Sequence, residues 1–170
     1  MRTRSLIHRA VPALLSLCAA FAAWADDSPL IGREAPDFAL RAAAGDNVRL
    51  SEARGQVVVL TFYGSRCNTC RTHLAELDDL YRTYGPAGLA VYGVSIDDDA
   101  QGAHHFATSV GVGFPMLGDP EKSVGRAYEI DRLPTVVIVD RGGKVRYVHR
   151  EPKSRGEPPY VRELRRLLDE

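Results

Sequence analysis

Three apolar runs stand out along the chain, and segments with helical periodicity separate them. Residues 56–63, 89–96 and 135–140 form these runs, and the first contains VVVLTFY, an almost unbroken series of β-branched, aliphatic and aromatic residues. Apolar runs of this length are typical of strands that are buried on both faces of a sheet. The pattern therefore predicts a central sheet with helices on both faces.

Helices and shorter strands are predicted around these three runs. Leucines and tyrosines at helical spacing after Cys67 predict a long helix that ends at Gly85-Pro86. Further helices are predicted over Ala100–Val110 with N-cap candidates in Asp97–Asp99, from Asp119-Pro120 to Tyr128, and over Tyr160–Leu168. Short strands are predicted at 37–40 and 47–50, as a hairpin around Gly45-Asp46, and at 114–117 and 144–149. This order indicates a three-layer α/β domain with a mixed sheet and an N-terminal hairpin extension.

The first 25 residues have the composition of a cleavable secretory signal. Three arginines within the first nine residues give a positive start, and an apolar run follows over residues 11–23. Ala23-Trp24-Ala25 then places small residues at the two positions that a signal peptidase inspects. A transmembrane anchor is the alternative, but a span needs about 20 apolar residues, more than this run contains. We therefore expect cleavage after Ala25, a mature domain over residues 26–170, and a periplasmic or otherwise extracytoplasmic location.

The charge and the cysteine content of the chain restrict the classes of function that it can have. The chain has 22 Lys and Arg residues against 22 Asp and Glu residues and no basic stripe, so we expect no nucleic-acid partner. Cys18 leaves with the signal, so the mature protein retains Cys67 and Cys70. Two cysteines three residues apart cannot form the disulfide framework of a small secreted domain, and so short a loop adds little stability. The pair is therefore expected to do chemistry.

The motif Cys67-Asn68-Thr69-Cys70 lies between the end of the first buried strand and the start of a long helix. Free N–H groups and the dipole at a helix N-terminus stabilise an anion, and the thiolate is the reactive form of cysteine. We expect Cys67 to be the more exposed, attacking thiol. Cys70 lies three residues further on the same helix face, where it can resolve a mixed disulfide on Cys67. The two cysteines are thus predicted to form a redox-active disulfide.

A metal site is the main alternative for a C-x-x-C motif. A closed zinc site needs four ligands, and no second C-x-x-C or H-x-x-x-H pattern supplies the other two. Copper(I), which thiolates favour, stays a lesser alternative. We expect no metal and no other cofactor. His104, His105 and His149 are expected to be solvated at the surface.

Several further motifs follow one another along the chain. They are Ala35-Pro36-Asp37-Phe38, Asp119-Pro120-Glu121-Lys122, Leu133-Pro134-Thr135 and Asp140-Arg141-Gly142-Gly143-Lys144. With the buried strand that runs into C-x-x-C, they resemble the TlpA/ResA branch of the thioredoxin-like proteins, which are bacterial extracytoplasmic thiol–disulfide oxidoreductases related to the AhpC/TSA superfamily. The resemblance extends from about Gly32 to His149 and implies a thioredoxin-like fold.

The resemblance also implies a role for Pro134. In that family the peptide bond before this proline is cis and lies beside the cysteines, where its loop pairs with the backbone of the substrate. Composition alone would favour a trans proline that merely starts a strand, because only about 5–6% of X–Pro bonds in folded proteins are cis. Because of the family resemblance, we expect the Leu133–Pro134 bond to be cis.

Three positions near the cysteines depart from the family pattern. The family usually has Trp before the first cysteine and Pro before the second, where this chain has Arg66 and Thr69. A guanidinium beside Cys67 should favour the thiolate, unless Arg66 points into solvent. A glutamate often follows the second cysteine by three residues, and His73 occupies that position here. His73 is a candidate for proton transfer during exchange, or it packs on the helix without a chemical role.

The function that the resemblance implies is dithiol–disulfide exchange with protein substrates. We expect the reducing direction, for example in cytochrome c maturation, with a separate membrane-side electron donor, and we expect a monomer. A peroxiredoxin has a related fold, but Tyr63 and Cys67 stand where the P-x-x-x-T-x-x-C pattern needs Pro and Thr before Cys70. A copper-binding metallochaperone would space its cysteines C-x-x-x-C, one residue more than here. These two alternatives stay open.

Overall fold

The computed structural model describes residues 28–150 and 157–170. The predicted secretion signal and its cleavage after Ala25 lie outside these residues. Within the described part of the chain, none of the helices combines the length and the apolar composition that a membrane span needs.

The described chain contains seven strands and four α-helices. The strands are β1 (Ala39–Arg41), β2 (Asn47–Arg49), β3 (Val57–Tyr63), β4 (Leu89–Ser95), β5 (Met116–Gly118), β6 (Thr135–Val139) and β7 (Val145–Arg150). The α-helices are α1 (Cys70–Tyr84), α2 (Ala100–Val110), α3 (Ser123–Ala127) and α4 (Pro159–Leu168).

Five of the strands form a mixed sheet in the order β5-β4-β3-β6-β7. β3 lies in the middle, pairs parallel with β4 and antiparallel with β6, and is buried along its whole length. Strands that are covered on both faces are rich in β-branched and other apolar residues, as β3, β4 and β6 are. The three apolar runs of the sequence are therefore the three inner strands, as predicted.

Helices cover both faces of this sheet. Val57 and Val59 of β3 face a core that contains side chains of α1, α2 and α4. Val58, Leu60 and Phe62 point the other way, into a core shared with α3 and the N-terminal segment. This alternation follows from the two-residue period of a strand. The predicted three-layer α/β architecture is confirmed.

The N-terminal segment crosses one face of the sheet before it enters β3. β1 and β2 pair antiparallel, so the predicted hairpin extension is also confirmed. At one edge of the sheet, the Ala43 N–H donates to the Met116 carbonyl at 2.7 Å. At the opposite edge, the Gly32 N–H donates to the Val145 carbonyl at 2.8 Å. Phe38 is buried between these two attachments, so the segment forms an integral part of the core.

The helix predicted over residues 120–128 begins later than expected. α3 starts at Ser123, because the preceding residues form a turn in which the Lys122 N–H donates to the Asp119 carbonyl at 2.9 Å. Lys122 adopts a positive φ of 54°, which ends that turn. The buried Asp119 carboxylate accepts the N–H groups of Ser123 at 3.0 Å and Gly125 at 2.8 Å. Asp119 therefore caps the helix from four residues before its start, and the predicted boundary is wrong.

Candidate active site

The connection between β3 and α1 carries both cysteines. The Gly64 carbonyl accepts the Cys67 N–H at 3.1 Å, and the Cys67 carbonyl accepts the Cys70 N–H at 3.2 Å. The chain therefore makes two consecutive turns after the end of β3. α1 begins only at Cys70, so Cys67 lies in the turn just before the helix.

Cys67 and Cys70 form a disulfide with an S–S distance of 2.10 Å and a Cα–Cα distance of 5.4 Å. Cys70 has no exposed surface and packs against the core under α1, whereas Cys67 is partly exposed. This is the difference in accessibility that the sequence predicts. Of the two cysteines, Cys67 is therefore the one with surface that a molecule in solution can reach.

Asp97 holds the start of the cysteine-bearing connection in place. Its Oδ2 atom accepts the Ser65 N–H at 2.8 Å and the Ser95 hydroxyl at 2.9 Å. The sequence indicates Asp97 only as a candidate N-cap of α2, but Asp99 fills that position and accepts the Gln101 N–H at 3.1 Å. Parallel neighbouring strands end at the same edge of a sheet. A polar residue shortly after β4 is therefore a candidate neighbour of the segment that follows β3, and this signal could have identified Asp97.

The segment before β6 lies beside the same connection. The Leu133–Pro134 peptide bond is cis, as the family resemblance implies. Thr135 is paired with Phe62, so Pro134 stands at the carboxyl end of β3. A Cβ atom on Gly64 would lie 3.1 Å from Leu133 Cδ1, a distance that only a glycine allows without a shift of the neighbour. The fold thus brings the cysteines and the proline loop together.

Two arginines flank the disulfide and differ in their contacts. Arg66 is exposed, and within the described residues its guanidinium takes part in no hydrogen bond or ion pair. Its effect on the Cys67 thiolate stays a prediction. Arg71 donates to the Ser109 carbonyl at 3.2 Å and lies over the Phe106 ring at 5.0 Å. Arg71 therefore links the first turn of α1 to α2 through a hydrogen bond and a cation–π contact.

His73 is buried, with 5% of its surface exposed. Its ring meets the Tyr160 ring edge-on at 6.0 Å, and burial lowers the pKa of His73 to about 4, so the ring is neutral at pH 7. His73 Nε2, Tyr160 Oη and Thr61 Oγ1 are the buried side-chain polar atoms of residues 28–150 and 157–170 that lack a hydrogen-bond partner. His73 is thus packed in the core one helical turn after Cys70. Its role in proton transfer stays a prediction.

The remaining histidines of the described chain lie in two environments. His104 and His105 are exposed on α2, as predicted. The expectation that His149 is solvated is wrong, because its side chain exposes only 19% of its surface and forms a hydrogen bond with Glu163 of α4. α4 contacts β7 and shields this histidine, and its Tyr160 ring lies 5.9 Å from the imidazole.

A cleft of about 410 Å³ opens next to Asp97, at the carboxyl ends of β3 and β4. Alanines of the N-terminal segment and of α2 form much of its wall, and Arg41 and His104 contribute polar groups. Because Asp97 also binds the Ser65 N–H, the cleft adjoins the cysteine-bearing connection. In the described ranges no group of three or more His, Cys, Asp or Glu side chains is arranged to hold a metal ion.

Comparison with known proteins places this site in a family. The model of the AhpC/TSA family matches residues 31–148, which is more than half of the chain. The chain belongs to the AhpC/TSA family. Within it, the chain is 32% identical over 118 residues to the thiol-disulfide oxidoreductase ResA of Geobacillus kaustophilus, a match that covers 69% of this chain and 68% of the relative. This AhpC/TSA protein is therefore a ResA-like thiol–disulfide oxidoreductase.

Solved structures agree with this family assignment. A Chlorobium tepidum protein described as the thiol:disulfide interchange protein DsbE is 32% identical and superposes with a TM-score of 0.68, over 80% of this chain and 92% of its own. A Bacteroides thetaiotaomicron protein described as a protein disulfide isomerase is 30% identical with a TM-score of 0.75, over 82% of this chain and 91% of its own. The fold of this AhpC/TSA family member is thus thioredoxin-like.

Replacing Asp97 with alanine tests how the connection is held. Asp97→Ala leaves the Ser65 N–H and the Ser95 hydroxyl without their acceptor. A hydrogen bond to a charged group contributes about 1.5–3 kcal/mol, so we expect the free energy of unfolding to fall by about 2 kcal/mol. Urea denaturation measures this loss, and hydrogen exchange should show faster exchange of the Ser65 amide.

Asp98→Ala is the matched control for Asp97→Ala. The Asp98 carboxylate is 81% exposed and forms an ion pair with Lys122, and an exposed pair contributes about 0–1 kcal/mol. We expect little change in the free energy of unfolding and in Ser65 exchange. An equal decrease in the free energy of unfolding in Asp97→Ala and Asp98→Ala would contradict the role of Asp97.

Acidification should reveal the burial of neutral His73. The pKa of this imidazole is about 4 in the folded chain and about 6.5 in the unfolded chain, so the unfolded chain binds the proton first as the pH falls. The contribution of His73 to stability is complete above pH 6.5 and is lost progressively between pH 6.5 and 4. At 1.36 kcal/mol per pKa unit, we expect the free energy of unfolding to fall by about 2 kcal/mol from pH 7 to pH 5. Urea denaturation across this range measures the slope.

His73→Leu should flatten that slope, because leucine has no proton to bind. His104→Leu is the control, since His104 is exposed on α2 and its loss should keep the slope of the wild type. Equal slopes in the wild type and in His73→Leu would show that His73 titrates normally in the folded protein.

Proposed function

We propose that this protein is exported and reduces disulfides in protein substrates through the Cys67/Cys70 pair. The observation that carries the proposal is the disulfide between a partly exposed Cys67 and a fully buried Cys70 at the end of the central strand. A substrate sulfur can reach Cys67 but not Cys70. This asymmetry suits a reaction in which one sulfur meets the substrate and the other resolves the intermediate.

The exchange proceeds in two displacement steps. The Cys67 thiolate attacks one sulfur of a substrate disulfide, so that a Cys67–substrate S–S bond forms, the substrate S–S bond breaks and one substrate thiolate leaves. The Cys70 thiolate then attacks the Cys67 sulfur, which releases the second substrate thiolate and forms the Cys67–Cys70 disulfide. The substrate gains two electrons and two protons, and the protein is left in the disulfide form that the structure has.

A separate donor must return the protein to its dithiol form. We assign this step to a dithiol on the membrane side that donates two electrons and two protons by the same exchange chemistry, because the bacterial periplasm is kept oxidising and no thiol buffer there would do so. Reduction of a haem-attachment site during cytochrome c maturation is a use that fits this direction. The protein acts as a monomer in this scheme.

Export is supported by the first 25 residues of the sequence. Their positive start, apolar run and Ala23-Trp24-Ala25 motif fit a signal that is cleaved after Ala25. Loss of these residues also removes Cys18, which leaves the active-site pair as the only cysteines of the mature chain. A protein without other thiols avoids competing disulfides in an oxidising compartment.

Substrate binding is assigned to the surface around Cys67. Pro134 stands at the carboxyl end of β3, where the family resemblance implies that its loop pairs with substrate backbone. The cleft beside Asp97 offers a largely apolar wall to an adjoining part of the substrate. We keep Arg66 as a candidate for favouring the Cys67 thiolate and His73 as a candidate for proton transfer near Cys70, the alternatives being an arginine directed into solvent and a histidine that only packs on the helix.

A peroxidase is the second candidate, because the matching family is the AhpC/TSA family. Such an enzyme would reduce a peroxide at one cysteine. Tyr63 and Cys67 occupy the positions where its P-x-x-x-T-x-x-C pattern has Pro and Thr, and Cys70 is completely buried. Peroxide consumption by the reduced protein distinguishes this candidate from disulfide exchange with a protein substrate.

The roles of the two cysteines predict different behaviour of their variants. Cys70→Ser should accumulate mixed disulfides with substrate proteins, because the intermediate on Cys67 cannot be resolved. Cys67→Ser should accumulate none, because Cys70 has no exposed surface. Non-reducing electrophoresis and mass spectrometry of exported protein measure the adducts. Equal trapping by both variants would overturn the assignment of roles.

Export itself predicts the mass of the mature protein. Expression of the whole chain in a bacterium should yield a periplasmic product that begins at Asp26. Intact-mass measurement of the periplasmic fraction checks this start. A product that keeps the first 25 residues and stays in the cytoplasmic fraction would contradict the proposed location without affecting the exchange chemistry.

A further inference from the structure

Thr69 is placed against the sulfur of Cys67. Its Oγ1 atom lies 3.6 Å from Cys67 Sγ, within the range of a hydrogen bond to sulfur. Thr69 directly precedes α1, a position where a threonine usually has extended backbone angles and accepts an N–H of the helix. Here its φ and ψ are −90° and −15°, and its side chain makes no capping hydrogen bond. The hydroxyl is thus directed to the sulfur and not to the helix.

The direction of this hydrogen bond follows from the chemistry of sulfur. A disulfide sulfur and a thiolate carry no hydrogen, so the hydroxyl of Thr69 is the donor. The thiolate is the stronger acceptor of the two, because it carries a full negative charge. The contact therefore stabilises the reduced, ionised form of Cys67 more than the disulfide.

We propose that the Thr69 hydroxyl donates a hydrogen bond to Cys67 and lowers the pKa of this attacking thiol. The proposal rests on the proposed role of Cys67 in exchange. The family usually has proline at this position, and proline has no side-chain donor. Relative to that pattern, this chain adds a donor at the reacting sulfur. Because Thr69 is exposed and Cys67 is partly exposed to water, the effect on the pKa of Cys67 is modest.

The test replaces the hydroxyl without changing the shape of the side chain. Thr69→Val should raise the pKa of Cys67 by about 0.5 to 1 unit, the size expected for loss of one exposed hydrogen bond to an ion. The readout is the rate of Cys67 alkylation by iodoacetamide against pH in the fully reduced protein, measured on the Cys67 peptide by mass spectrometry. The equilibrium with glutathione should shift away from the reduced form by up to about tenfold, one pKa unit being a factor of ten.

Two further variants isolate the hydroxyl. Thr69→Ser keeps the donor, so the Cys67 titration should stay within about 0.2 units of the wild type, a small part of the shift expected for one lost hydrogen bond. Thr72→Val makes the same substitution at an exposed position in the first turn of α1 and should leave the titration unchanged. No variant removes a helix cap, so all should keep the thermal midpoint of the wild type, and Thr69→Ala replaces Thr69→Val if that midpoint falls.

The inference is overturned if Thr69→Val titrates like the wild type, or if Thr69→Ser shifts the pKa as far as Thr69→Val does. Its failure is distinct from failure of the proposed function. Trapping of substrates by Cys70→Ser together with an unmoved titration rejects only the contact with Thr69. A shifted titration without trapped substrates keeps the contact and rejects the exchange function.

Discussion

The complete burial of β3 determines where the reactive groups of this protein lie. A buried strand cannot leave its N–H and C=O groups unpaired, so it needs a neighbour on each side. β4 is the parallel neighbour, and its carboxyl end therefore lies at the same edge as that of β3 and brings Asp97 to the cysteines. β6 is the antiparallel neighbour, and its beginning lies at that edge and brings Pro134. One hydrogen-bonding requirement thus gathers the three segments of the site.

Local patterns in the sequence were sufficient for the elements whose cause is local. The inner strands and α2 lie within one or two residues of their predicted bounds, because a two-sided apolar run or a run between an N-cap and a C-terminal glycine needs no information from elsewhere. α3 is different. Its start depends on a turn at Asp119, whose N–H donates to the Ser95 carbonyl of a strand that lies more than twenty residues earlier. No signal near Pro120 reports that contact.

The same distinction applies to the site. The cysteine pair could be predicted, because both the chemistry and the spacing lie in four consecutive residues. The contact of Asp97 with Ser65 depends on the order of strands in the sheet, and the burial of His73 depends on Tyr160 of α4, far along the chain. His149 is shielded by that same helix. Side chains whose environment is made by a distant element are those that sequence patterns misplace.

The course of the N-terminal segment has a consequence for association between molecules. An unpaired edge strand is a template on which a strand of another molecule can add, and many folds protect such edges. Residues 32–35 pair with the chain at the start of β7, and Ala43 pairs with β5, so one continuous segment occupies part of both edges of the sheet. Release of this segment would open both edges in a single event. The attachment of this one segment thus protects both edge strands, β5 and β7, against addition of a strand from another molecule.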